Sequence, residues 1–261
     1  SESVGYGDVA VQLRDLFARR LMRAGEYAEA LPYFSEDAHR EAAGQYAAAM
    51  GRAQGSFWFD RVGRAEAWYE AATTAREFGM EILGTEGPPD FEIWGGSYGR
   101  ESGHYDDAWN WIPEPPTDVK LEGEWIGADE PKRLAASKPP YLSRFQYRQV
   151  AADHVMQAAN FVPARSQAFA AMLCTGTGWL IDREPDAARV LYRRYVAEGA
   201  LVPFGANFGR DCPAPDFEGA RERLHVERVR TAKQAVRDGS PWIAGVLALI
   251  VGGWFWRRRQ A

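Results

Sequence analysis

The chain has 261 residues, of which 46% are hydrophobic and 26% charged, a composition that suits one or two folded domains and excludes wholesale disorder. With 31 basic against 36 acidic side chains the formal charge is −5, so there is no overall basic field to hold nucleic acid. Two cysteines exclude a disulfide-dense mini-fold and a four-cysteine zinc site, and a mean hydropathy of −0.41 excludes many membrane spans while leaving room for one.

The first block, residues 1–86, reads as helical. Val9, Leu13, Leu16, Phe17, Leu21 and Ala24 share one face of a helix over 9–24. Gly25 breaks it, and Tyr27, Ala30, Leu31 and Phe34 begin a second helix at i, i+3, i+4 and i+7. An alanine-rich run over 39–54 predicts a third. A fourth, over 61–78, has Ala65, Trp68, Tyr69, Ala72 and Ala75 on its apolar side.

Residues 87–143 change character. Pro88, Pro89, Pro113, Pro115, Pro116, Pro131, Pro139 and Pro140 forbid long helices, while the alternating runs 91–94 and 119–122 suggest short strands. Trp94, Trp109, Trp111 and Trp125 are too many aromatics for a disordered tether, so this is a folded, irregular, aromatic and proline-rich insertion. Trp109 and Trp111 flank Asn110 close to three prolines, where stiff loops can display large rings at low entropic cost. They are the candidate protein-contact residues; the alternative is that they roof the helical core.

Helices resume in a second block, 144–215. Tyr147, Val150, Ala151, His154, Val155 and Ala158 share one face over 144–160, and a further helix covers 164–176 through Phe169, Met172 and Leu173. Pro185, after Asp182, opens another helix that carries Ala188, Leu191, Tyr192 and Tyr195 and closes at Gly199. The charged stretch 216–239 has a thin apolar stripe, Ala220 and Leu224, and reads as a stalk.

From Ser240 to Trp256 the chain has no charge. As a helix that run would reach about 26 Å, the short end of a bilayer span. Trp242 at one edge, and Trp254 and Trp256 with Arg257, Arg258 and Arg259 at the other, have the pattern of membrane-interface residues, with 257–261 as a basic tail. Ala244, Ala248 and Gly252, with Gly245 and Gly253 alongside, form a small-residue stripe of the kind that packs a membrane helix against a neighbour or a second copy. The terminal arginines put the C-terminus in the cytoplasm and the body in the periplasm or outside the cell. A raw count of Arg221, Arg223, Arg228, Arg230, Lys233 and Arg237 gives the reverse, but such counts lose force in long flanking domains. Ser1 in place of Met has two readings, a removed export leader or a trimmed chain, and residues 1–20 carry no signal that decides between them; the first would agree with a body outside the cytoplasm.

In the first helical pair, Ala18-x-x-Leu21 is followed nine residues on by Ala30-x-x-x-Phe34, with Gly25 and Tyr27 at the turn. This resembles the tetratricopeptide repeat. The spacing returns as Gly176-x-x-Trp179 and Ala188-x-x-x-Tyr192. Arg14 and Met172 stand where the family has Trp, no proline closes either unit, and the two matches are not adjacent. Plain antiparallel helical hairpins are the alternative. The resemblance implies a protein-binding helical scaffold with a concave groove and no catalysis.

Signals for chemistry are sparse. Gly95-Gly96-Ser97-Tyr98-Gly99 matches a nucleophile elbow, but Gly99 and Gly103 break the helix that must follow the serine, and no alternating strand–helix pattern surrounds it. His39, His104, His154 and His225 have no metal-ligand spacing; His104 near Asp106 and Asp107 reads as a solvated turn, and His154 as a histidine at the edge of the core. Cys174 and Cys212 either pair or remain buried thiols. The expected protein is a mainly α, non-enzymatic, membrane-anchored scaffold of tetratricopeptide-like hairpins. It has no cofactor or metal and docks other proteins, membrane proteins among them, with a homodimer also open. An accessory subunit held in a membrane complex by its span is the alternative, and a hydrolase using Ser97 comes third.

Overall fold

A computed structural model of the chain describes residues 9–55, 60–85, 102–114, 123, 126–141 and 145–237. The elements in chain order are α1 Val9–Ala24, α2 Tyr27–Ala30, α3 Asp37–Gln54, α4 Arg61–Leu83, β1 Ser102–Tyr105, β2 Trp111–Glu114, α5 Glu130–Ser137, α6 Tyr147–Ala159, α7 Gln167–Leu180, α8 Pro185–Glu198 and α9 Phe217–Arg237. The described chain is mainly α, built by helix-on-helix packing of a repeat-like kind.

Small residues set how closely the helices approach. Helix α4 lies between α3 and α6, α6 packs on α7, and α7 on α8. Ala42, Ala43 and Ala49 of α3, Ala65, Ala71, Ala72 and Ala75 of α4, and Ala151, Ala152 and Ala158 of α6 are all buried in these contacts. Alanine combines high helix propensity with a short reach, so its faces bring helix axes close. The larger side chains gather around α7, where Phe169, Met172, Leu173 and Leu180 are buried. Two apolar clusters, one under α1–α4 and one around α6–α8, meet at Trp68 and Trp179.

Local signals start these helices. The Asp60 carboxylate accepts from the Gly63 N–H at the head of α4, the Ser166 hydroxyl accepts from the Phe169 N–H at the head of α7, and Pro185 occupies the first turn of α8. The expected second helix is cut short. α2 runs only to Ala30 before a 3-10 turn, Leu31–Tyr33, because Pro32 has no N–H to continue an α-helix.

The end of α4 is held by arginines of α1. Arg19, only 3% exposed, donates to the Met80 carbonyl at 3.3 Å, and Arg23 donates to the carbonyls of Leu83 at 3.2 Å and Gly84 at 2.7 Å. Arg23 also reaches the Ser137 carbonyl at 2.8 Å, and Arg20 pairs with Glu130 at 2.7 Å, which fastens α5 to the same place. Guanidinium groups thus add donors to carbonyls at a helix C-terminus, where cations are favoured.

Two expectations are corrected. Among the described residues no helix is long and apolar enough to cross a membrane. The most apolar helix, α7, has 14 residues, about 21 Å of helix, and is wrapped by protein, whereas the 23-residue α4 carries charges along its length. The single transmembrane helix and the single-pass placement with a periplasmic or external body and cytoplasmic C-terminus are therefore not supported; residues 240–261 lie outside the described residues. The expected strands at 91–94 and 119–122 also lie outside them, and the hairpin that is described sits at 102–114.

Of the charged segment 216–239, α9 begins on the body. Ala220 is buried, Phe217 and Leu224 pack beside it, and Arg221 pairs with Glu66 of α4 at 2.6 Å. From Arg228 to Gln234 its residues are exposed.

Candidate protein-contact site

Strands β1 and β2 pair antiparallel, with Tyr105 opposite Trp111 and Ser102 opposite Glu114. The turn between them is organised by Asp106. Its carboxylate accepts from the backbone N–H of Asn110 at 2.8 Å, from that of Ala108 at 2.9 Å, and from the Asn110 side-chain amide at 3.0 Å. Its own N–H donates to the Asn110 carbonyl, and the Trp109 N–H donates to the Asp106 carbonyl. These donors, the Asn110 N–H foremost, hold the Asp106 carboxyl below the usual carboxylate range.

The turn forces Trp109 into the left-handed region, at φ +62°, a conformation that costs a bulky residue about 1–2 kcal/mol. Its ring is 81% exposed, leaning on Tyr105 with centroids 5.7 Å apart. Trp109 is therefore not a roof over the core. Trp111 lies in β2, His104 in β1 opposite Ile112. Ser97 and the span candidates Trp242, Ala244, Ala248, Gly252, Trp254, Trp256 and Arg257–Arg259 lie outside the described residues. The sequence pointed to Trp109 and placed Asp106 in a solvated turn, but not the closure of that turn by its carboxylate, although an Asp four residues before an Asn, beside Trp, carries that signal.

A second surface lies at α8. After Gly199 the chain turns back across that helix through a 3-10 turn, Pro203–Asn207, and is fastened to α7 by the Cys174–Cys212 disulfide. The Gly209 N–H donates to Cys174 Sγ at 3.2 Å. Gly209 has φ +86°, and its carbonyl lies so close to Gly178 that a Cβ there would sit 2.4 Å from the oxygen. Phe208 stacks on Tyr195, centroids 4.4 Å apart and planes at 15°, and touches Tyr192 at 5.4 Å. The returning segment is a wall standing on α8, with a cleft on each side. One, of about 430 Å³, includes Arg165, Val196, Leu201 and Val202; the other, of about 360 Å³, includes Thr177, Ile181, Pro185 and Phe208. Tyr192, Gly205 and Ala206 belong to both.

No family model, curated protein or solved structure matches this chain.

The remaining sequence candidates are not brought together. His39 faces Glu36 at 3.5 Å, and no group of three or more metal-ligating side chains forms among the described residues. His154 sits at the edge of the core, between Tyr46 and Trp68. Its Nε2 and the Tyr46 hydroxyl share a hydrogen bond of 2.9 Å, and its ring lies 5.1 Å from Trp68. Burial lowers its pKa from 6.5 to about 4, and burial likewise pushes the Tyr46 phenol up.

This has a consequence for stability. Between about pH 6.5 and 4 the unfolded chain binds a proton that the folded chain refuses. The contribution of neutral His154 is therefore fully present above pH 6.5 and is lost as pH falls through that window, by about 3 kcal/mol in all. Urea midpoints measured from pH 7.5 to 4 are expected to fall through this range, and His154→Gln, which does not titrate, is expected to flatten the profile. An unchanged profile in the variant would assign the acid sensitivity to other groups.

Proposed function

We propose that the protein is a non-enzymatic helical scaffold that docks other proteins, with the tip of the β1–β2 hairpin as a contact. The observation that carries this reading is Trp109, a large ring mostly in water, displayed on a backbone conformation that disfavours it and fixed there by Asp106. Exposed, conformationally restricted aromatics are the residue type that dominates protein interfaces, and strained positions gather where a surface works. The tetratricopeptide-like character of the stack is supported by the burial of Ala18, Ala30, Phe34 and Ala188, and by Gly176, whose missing Cβ leaves room for Leu191 of α8.

The test uses the opposed demands on this position. Trp109→Gly relieves the left-handed strain, so thermal unfolding is expected to be unchanged or improved by about 1 kcal/mol. Crosslinking in the cell that makes the protein, from a benzophenone amino acid at position 109, is expected to give discrete protein adducts. The same group at the exposed Arg193 is expected to give none. Retention of the same protein partner by Trp109→Gly, or unfolding of that variant, would remove the hairpin from the contact.

A further inference from the structure

Helix α9 has two halves with different surroundings. Its first turns are fastened to the body, where Ala220 is buried, Phe217 and Leu224 pack beside it, and Arg221 bridges Glu66 and Glu218, each at 2.6 Å. From Arg228 to Gln234 every residue is exposed. At about 100° per residue, Val226, Val229 and Lys233 lie on the side of the helix turned away from Ala220 and Leu224, and Arg223, Arg230 and Arg237 recur every seven residues along its border. Val226 is 54% and Val229 38% exposed. A hollow of about 330 Å³ on this face is lined, among the described residues, by Val226, Val229, Arg230, Lys233 and Gln234, so two cations and two apolar side chains are within reach of one group.

The charge of this half has one sign. Arg228, Arg230, Lys233 and Arg237 follow one another with no acid between them, in a chain whose formal charge is −5. Arg223 is paired with Glu227 at 3.4 Å, whereas Arg228, Arg230 and Lys233 pair with no described carboxylate. The occupant of the face follows from its two components. Valine is too short to anchor a helix in the groove of a protein partner, a role that larger side chains fill. A second copy would set the same cations against themselves. Nucleic acid would use the cations and leave the valines in water. An anionic bilayer surface uses both, because its headgroups meet the cations while the acyl boundary beneath them meets the valines.

We propose that the exposed half of α9 is a docking surface for anionic lipid, lying along the headgroup layer with Arg230 and Lys233 on the headgroups and Val226 and Val229 at the acyl boundary. The contact runs along the surface and crosses nothing. It goes beyond the protein-docking reading and does not depend on it, since the body packs on the other side of the helix.

The experiment is co-sedimentation of the full chain with vesicles of phosphatidylcholine alone and of an equimolar mixture with phosphatidylglycerol, at low and at physiological salt. The mixed vesicles are expected to take up more protein, and salt is expected to weaken that uptake. The double change Arg230→Gln and Lys233→Gln is expected to lower partition onto the mixed vesicles about thirtyfold, at roughly fivefold for each cation near such a surface. Thermal unfolding is expected to stay the same, because both side chains are in water. The exchange Arg230→Lys with Lys233→Arg is expected to keep wild-type uptake, and Val226→Gln to weaken it about fivefold. Arg193→Gln, an exposed cation on α8, is expected to leave it unchanged. The uncharged run 240–256 is present in every variant, so any part it plays is common to all of them. Equal uptake by neutral and mixed vesicles, a double variant that binds as the wild type does, or an equal loss in Arg193→Gln would each overturn the proposal. So would retention on immobilised poly-glutamate without uptake by mixed vesicles, which would give the face to an acidic protein.

Discussion

Removing the Cys174–Cys212 crosslink by the double change Cys174→Ala and Cys212→Ala is expected to lower folding stability by about 4 kcal/mol, from a loop of 38 residues closed in the unfolded state. The loop contains all of α8 and the segment that returns across it, so the unfolded chain loses a large set of conformations when the bond is present. In the folded state the bond adds to packing that the segment itself makes. Its apolar grip on the body includes Phe208 against Tyr195 and Tyr192, with Val202 and Phe204 beside them, and its polar grip on α7 includes the Gly209 N–H to Cys174 Sγ and, just beyond Cys212, Gln167 on Ala214 and Asp216. Urea unfolding of the variant and of the wild type, each with and without a dithiol reductant, separates the crosslink from the substituted atoms. Reductant is expected to lower the wild-type midpoint toward that of the variant and to leave the variant unmoved. A wild type indifferent to reductant would show that the bond adds nothing to stability.

The sequence made this region hard to read for a physical reason. Two cysteines 38 residues apart, one on a helical face and one beside a proline, are equally consistent with a bond and with two thiols, since proximity depends on where α7 and α8 pack. The same holds for Gly178 and Gly209, whose contact is between backbones and leaves no pattern in either neighbourhood. By contrast α3, α4, α6, α7 and α8 were legible, because α3 is an alanine-rich run, the others carry apolar residues at helical spacing, and Pro185 marks the start of α8.

The hairpin shows the limit of propensity. Gly103 and Pro113 stand in the middle of its two strands and face each other in the register, a pair that single-residue preferences would place in a loop. What makes the hairpin is the Asp106–Asn110 closure, a side-chain effect four residues long, and a two-stranded ribbon has an open edge at which Pro113 is tolerated. The arginines of α1 were passed over for a related reason: Arg19 and Arg23 are engaged by carbonyls at the end of α4, a tertiary contact that no pattern in the sequence of α1 announces.

The contact of Gly79 in α4 with Tyr147 in α6 carries the other large effect. Gly79→Val is expected to cost about 4 kcal/mol, and Gly79→Ala about 2 kcal/mol, well above the mean for single substitutions. A Cβ at position 79 would lie 2.3 Å from Cγ of Tyr147 and 2.4 Å from its Cβ and Cδ2. Those atoms sit at the root of a buried side chain on the first turn of α6, so they cannot swing aside as the tip of a flexible chain would, and relief requires the two helices to part. The helix already bends here, with Phe78 at φ −112° and ψ 17°, so alanine would recover little of its usual helical advantage. Gly44, in the middle of α3, is the control, because a Cβ there meets nothing within 4 Å. Gly44→Ala is expected to raise stability by about 0.5–1 kcal/mol. The double variant Gly79→Ala with Tyr147→Ala gives a second reading. Tyr147→Ala alone opens a cavity, and in its presence the added methyl at 79 no longer meets a ring, so the two losses are expected to sum to less than their separate values. Urea unfolding of the four proteins measures that coupling. Additive losses, or a Gly79→Ala variant as stable as the wild type, would mean that α4 and α6 do not meet at Gly79 and Tyr147 and that the Ala-lined packing of the two helices has a different register.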